Sequence, residues 1–148
     1  HSVALSGDTA VVGAPYNVSS EGQGVVYVRS GNNWNYAATL TSLDALNNGA
    51  TDNFGYDVDI DGDTIAISPL GVDRAFIFVR PGGGWTSSFE NARLQANGES
   101  LRAVDVSGNT VAVLGNALHV FEEPGGGWGG TLSPEHTLDE ASFTSLAC

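Results

Sequence analysis

Ser2–Val12 reads SVALSGDTAVV, and the pattern returns as DVDIDGDTIAI over Asp57–Ile67 and as AVDVSGNTVAV over Ala103–Val113. In the first arm of each copy apolar residues alternate, the period of two that a pleated strand imposes. Each copy is then cut by a two-residue turn, Gly7-Asp8, Gly62-Asp63 or Gly108-Asn109, where glycine accepts the positive φ of a primed hairpin turn. The three turn glycines are 55 and 46 residues apart. A second signal follows each hairpin: GVVYVRS from Gly24, RAFIFVR from Arg74 and ALHVFEE from Ala117. A third closes each unit, as SGNNW from Ser30 and as PGGGW from Pro81 and from Pro124. Three signals in one order, three times over, define an internal repeat.

Each unit predicts four short antiparallel strands. Two are the arms of the hairpin, the third carries aromatics (Tyr27, Phe76, Phe78, Phe121), and the fourth begins near Trp34, Trp85 and Trp128. No stretch sustains a helical period. Four strands in roughly 40 to 55 residues is the size of one β-propeller blade. The expected fold is therefore all-β, with three four-stranded antiparallel blades over residues 1–50, 51–97 and 98–140. Residues 141–148 read as the start of a fourth repeat or a closing strand.

Composition narrows function by exclusion. The 148 residues are 41% hydrophobic, too apolar for disorder, and the apolar runs are too interrupted to cross a membrane. All five basic residues are arginines, and 17 acids leave a net charge of −12. Such a surface repels a phosphate backbone and anionic headgroups, so neither nucleic acid nor membrane insertion is expected. The absence of lysine removes Schiff-base chemistry and a P-loop. HExxH, GxSxG and CxxC motifs are also absent and the three histidines are scattered, so no catalytic residue is assigned. Asn17-Val18-Ser19 is a glycosylation sequon, and Cys148 is the sole cysteine.

FGYDVDIDGDT from Phe54, together with SVALSGDTAVVGAP from Ser2 and the GVVYVRS that follows, resembles the FG-GAP repeat, which builds integrin-α-like propellers. Phe54-Gly55 and Gly13-Ala14-Pro15 are the two halves of that name. Ser68-Pro69 stands in for the second half in the middle unit, and the third unit carries neither. The resemblance implies extracellular or cell-surface proteins that bind partners and do not catalyse. With the acidic, lysine-free surface, the absence of a catalytic motif and the sequon, the expectation is a non-catalytic structural or adhesive module, glycosylated at Asn17. A carbohydrate-binding, lectin-like propeller is the second reading, with Tyr16 and Trp34 as ligand contacts.

Asp57 opens a D-x-D-x-D-G-D run whose Asp59, Asp61 and Asp63 are the candidate ligands for calcium, a cation that takes clustered carboxylate oxygens. In the family, calcium loops lie between the first and second strands, where this run sits. Here too few residues separate those strands, so a strand face lining a wet channel, with Asp63 as a turn residue, stands beside the calcium reading. Three blades do not close a ring. Protein partners or further repeats are expected to cover the open faces, within a larger chain, oligomer or filament.

Overall fold

The computed structural model describes residues 1–16, 21–44 and 53–139. Among the described residues, fourteen strands form three sheets. The first sheet is built from β1 (Ser2–Ser6), β2 (Thr9–Ala14), β3 (Gln23–Ser30) and β4 (Asn33–Thr41). The second contains β5 (Asp57–Asp61), β6 (Thr64–Ser68), β7 (Arg74–Val79) and β9 (Ala92–Gln95). The third contains β10 (Ala103–Ser107), β11 (Thr110–Leu114), β12 (Leu118–Glu122) and β14 (His136–Leu138). Within each set the neighbours pair antiparallel, as a four-stranded blade requires.

The hairpin turns form as the sequence predicts. Gly7, Gly62 and Gly108 have φ of 56°, 57° and 57°, a conformation that a side chain resists. The residue before each first strand donates its N–H to the end of the second, so the units are in one register. His1 bonds the Gly13 carbonyl at 2.8 Å, Tyr56 that of Ser68 at 3.0 Å and Arg102 that of Leu114 at 2.9 Å.

The fourth strands depart from expectation. In blade one, Ser30-Gly31-Asn32-Asn33 closes a tight hairpin and β4 begins beside Trp34, as expected. In blades two and three Pro81 and Pro124 have no N–H for the ladder, and the chain turns away, with Gly84 and Gly127 donating back to the proline carbonyls at 3.0 and 2.8 Å. Trp85 and Trp128 therefore lie ahead of the fourth strands, which begin at Ala92 and His136. The intervening segments supply two extra strands, β8 (Ser88–Phe89) and β13 (Gly130–Leu132). Each crosses to the preceding blade and pairs parallel with its outermost strand, β8 on β4 and β13 on β9.

Two cores hold the blades together. Val11, Val26 and Leu40 of blade one pack with Phe54, Ile65, Ile67, Phe76, Phe78 and Trp85. Ala66, Ile77 and Leu94 of blade two pack with Leu101, Val111, Val113, Phe121 and Trp128. The middle sheet is thus covered on both faces, which is why Thr64–Ser68 and Arg74–Val79 are almost continuously apolar where strands with one wet face alternate.

Candidate functional site

The two halves of the motif meet between blades. Phe54-Gly55, just before β5, lies against Gly13-Ala14 at the end of β2 and against Gly22, whose backbone bridges Phe54. A β-carbon on Gly13 would run into the Gly55 carbonyl, and one on Gly22 into Phe54. At Gly55 it would stand 2.5 Å from the Gln23 carbonyl oxygen, and φ there is already +91°. Phe54 fills the space beneath, edge-on to Phe76 and Phe78 with centroids 5.5 and 6.0 Å apart. The motif is a backbone-to-backbone joint locked by an aromatic plug.

The aspartate run serves the next joint. Val58 and Ile60 face blade one, so the alternation of β5 turns Asp57, Asp59 and Asp61 toward blade three. Asp57 Oδ2 accepts the Val104 N–H at 2.9 Å, Asp59 Oδ2 that of Val106 at 2.6 Å and Asp61 Oδ2 that of Gly108 at 2.7 Å. Three carboxylates thus satisfy three consecutive outward amides of the β10 edge. Blade one does the same once, with Ser6 Oγ accepting the Gly62 N–H at 3.0 Å. Asp63 is elsewhere, across its turn on Arg80 at 2.7 Å, as Asp8 sits on Arg29 at 2.6 Å. The structure therefore does not bring Asp59, Asp61 and Asp63 together, and among the described residues no group of three His, Cys, Asp or Glu side chains converges as metal ligands.

A hydrogen bond to a charged acceptor contributes about 1.5–3 kcal/mol. Asp59→Ala is accordingly expected to destabilise by about 2 kcal/mol, because it leaves a buried amide without a partner. Asp59→Asn, which keeps an acceptor oxygen, should recover most of that loss. Urea unfolding of the three proteins checks the order.

Tyr16 and Trp34 do not share a surface. Tyr16 follows β2 beside the Gln23 end of β3, whereas Trp34 pairs with Arg29 near the other end, six residues along. At about 3.3 Å per residue the two rings stand roughly 20 Å apart along the blade. Tyr16 is 66% exposed and meets His1 edge-on, and His1 leans on Tyr56 with centroids 4.5 Å apart. Trp34 is 43% exposed with the Arg29 guanidinium 5.8 Å over its ring, while Trp85 and Trp128 are each 8% exposed. Asn17 lies outside the described residues.

Two charged constellations carry no motif and were not singled out in the sequence. Asp44, just beyond β4, takes Arg74 of β7 at 2.6 Å and Arg93 of β9 at 3.3 Å, and Arg93 also holds Glu90 at 2.9 Å. This pairing ties the outer edge of blade one to blade two. Glu99, ahead of β10, accepts the N–H groups of Asn116 and Ala117 at 3.0 and 2.9 Å and so braces the tight β11–β12 connection. Buried His119 places Nε2 3.3 Å from the same carboxylate and Nδ1 3.1 Å from Thr137 Oγ1.

The Ala117 amide above all, helped by His119 and the Asn116 amide and opposed by partial desolvation, holds the Glu99 carboxyl below the usual glutamate range. A carboxylate depressed in the folded state stabilises the fold above the ordinary glutamate range, and that stability is lost as pH falls through the lowered value. Wild type is therefore expected to lose more stability than Glu99→Gln on acidification from neutral pH. Paired denaturant titrations across that interval measure the difference.

No curated protein matches the chain. Among solved structures, a chain from the complex of KlAtg21 with the coiled-coil of AgAtg16 superimposes with a TM-score of 0.63 at 11% sequence identity. The match covers 93% of this chain and 41% of that one, so this chain spans well under half of its length, and at such identity the likeness concerns the fold. The sequence also matches the FG-GAP repeat over residues 1–29 and 34–78. That span holds both glycine motifs and the joint they form, and on it the chain belongs to the FG-GAP repeat family.

Proposed function

We propose that this β-propeller protein-interaction module works outside the cell or at its surface, as a non-catalytic structural or adhesive unit of a larger assembly. The observation that carries the reading is the open face of blade one. Val3 and Leu5 of β1 are 70% and 63% exposed, whereas their counterparts Val58 and Ile60, and Val104 and Val106, are all at most 8% exposed. An exposed sheet face with the composition of an inter-blade interface is suited to pack against a further repeat or another protein. The acidic side chains support the same reading, because Asp44, Asp57, Asp59 and Asp61 bond neighbouring blades rather than converge in a cleft.

The carbohydrate-binding alternative draws on the exposed Tyr16 ring, which stands with His1 and Tyr56 as an aromatic step at the rim. A glycan array separates the two. No saturable binding is expected, and saturable binding lost on Tyr16→Ala would replace the adhesive reading with the lectin one. Turnover of a sugar or ester panel would likewise overturn the non-catalytic part. An intact mass of natural material carrying a glycan at Asn17 is the result expected of a secreted glycoprotein.

A further inference from the structure

The connection from β9 of blade two to β10 of blade three turns at Ala96-Asn97-Gly98-Glu99, an asparagine followed by glycine. Asn97 and Gly98 have φ of 54° and 84°, the two positive values of a primed turn. One long bond closes the turn, from the Glu99 N–H to the Ala96 carbonyl at 3.3 Å. Its two feet are fixed to the loop between β6 and β7. The Ala96 N–H donates to the Asp73 carbonyl at 2.7 Å, and the Leu101 N–H to that of Val72 at 2.8 Å. Between the feet, neither the Asn97 side-chain amide nor the Gly98 N–H has a hydrogen-bond partner among the described residues. A β-carbon on Gly98 would meet nothing within 4 Å, so the glycine stands clear of neighbouring atoms.

This sets an electrophile beside an unoccupied nucleophile, in a residue type that is chemically thermolabile. The Gly98 nitrogen, having lost its proton to hydroxide, attacks Cγ of Asn97. The N–Cγ bond forms, the Cγ–Nδ2 bond breaks, and ammonia leaves with a proton taken from water, giving a five-membered imide. Glycine has no side chain to crowd that attack. Water then adds to one of the two imide carbonyls. Opening at Cγ leaves an aspartate. Opening at the backbone carbonyl leaves an isoaspartate, whose main chain runs through the former side chain and is one carbon longer. Two other asparagines are held out of this chemistry by the fold. Asn91 Oδ1 accepts the Val79 N–H at 2.7 Å, and after Asn116 the nucleophile itself is occupied, with the Ala117 N–H on Glu99 at 2.9 Å.

We propose that Asn97-Gly98 is a modification site at which the chain converts its own asparagine, and that the isoaspartyl product unfastens the β11–β12 connection of blade three. The extra carbon enters two residues ahead of Glu99, whose carboxylate holds the Asn116 and Ala117 N–H groups at 3.0 and 2.9 Å. His119 Nε2 lies 3.3 Å from the same carboxylate. Because Ala96 and Leu101 are anchored, the added length is taken up between them, and Glu99 is displaced from its three contacts. The aspartyl product keeps the main chain and adds only a negative charge to a net of −12. Both reacting groups belong to a turn between two blades, so the conversion needs no partner molecule beyond water.

Peptide mapping by mass spectrometry on the folded 148-residue chain, aged at neutral and at mildly alkaline pH, is the test. Cleavage after arginine isolates residues 94–102, in which Asn97 is the sole asparagine. That peptide is expected to gain the mass difference between an amide and a carboxyl, in proportion to hydroxide, with ammonia released in equal amount. An isoaspartate methyltransferase reports the lengthened form. Peptides holding Asn91 and Asn116 keep their amides. Asn97→Gly accepts the same positive φ, lacks the electrophile and stops the gain. In the aged wild type the Asn116 and Ala117 amides lose protection from hydrogen exchange. Fresh Asn97→Asp, which carries the charge on an unchanged main chain, retains that protection. An Asn97 amide that stays intact in the folded chain while the urea-unfolded chain loses it overturns the modification site. Equal loss at Asn91 and Asn116 overturns it as well. Isoaspartate formed with both amides still protected overturns the release of the Glu99 brace.

Discussion

Gly55→Ala is expected to cost more than about 3 kcal/mol and to lower the melting temperature by roughly 10 °C. Two independent costs add. The φ of +91° is strained for any residue with a β-carbon, at about 1–3 kcal/mol. The new methyl also meets backbone, the Gln23 carbonyl oxygen at 2.5 Å and the Ala14 nitrogen at 3.0 Å, and backbone cannot rotate aside as a side chain tip does. Gly13→Ala presses on the same joint from the other side at ordinary φ, so it isolates the clash from the strain. The control is Gly83→Ala in the PGGGW turn, where a β-carbon meets nothing within 4 Å and φ is not positive. It should change stability by less than about 0.5 kcal/mol. Thermal melts of the three variants give the comparison, and a mild effect at both Gly13 and Gly55 would refute the joint.

Trp85→Ala and Trp128→Ala are expected to destabilise by about 3–5 kcal/mol each, the usual cost of emptying an aromatic site in a core. Trp34→Ala should cost less than about 1 kcal/mol. The three tryptophans occupy one position in the repeat and three different surroundings. Trp85 belongs to the core between blades one and two, and Trp128 to the core between blades two and three. Trp34 lies in β4 opposite Arg29, exposed, and loses only a cation–π contact with that arginine. Denaturant unfolding ranks them, and equal losses at all three would contradict the placement of Trp34.

These contrasts mark where local signals end. The hairpins were legible because alternation and a turn glycine act over a handful of residues, and both are unchanged by tertiary context. β8 and β13 were not, since two or three residues without a period leave no trace until a neighbouring strand edge is supplied. The facing of Asp57, Asp59 and Asp61 away from Val58 and Ile60 was readable as alternation. Their partners were not, because amides 47 residues downstream come near only once blade three docks. Asp44 and Glu99 stand outside any repeated motif, and their roles follow solely from chain segments that the fold brings alongside.

The parallel crossovers also set an order in time. Synthesis delivers the chain from its N-terminus, and domains begin to fold as they emerge. Blade one has its four antiparallel strands once Thr41 is out, but its outermost edge stays bare until Ser88 and Phe89 arrive. Blade two waits in the same way for Gly130–Leu132. Blades one and two are therefore each completed only by a segment of the repeat that follows, made before that repeat has its own fourth strand. Until then the bare edge is open to a stray strand, and its protection depends on a segment that has yet to be made.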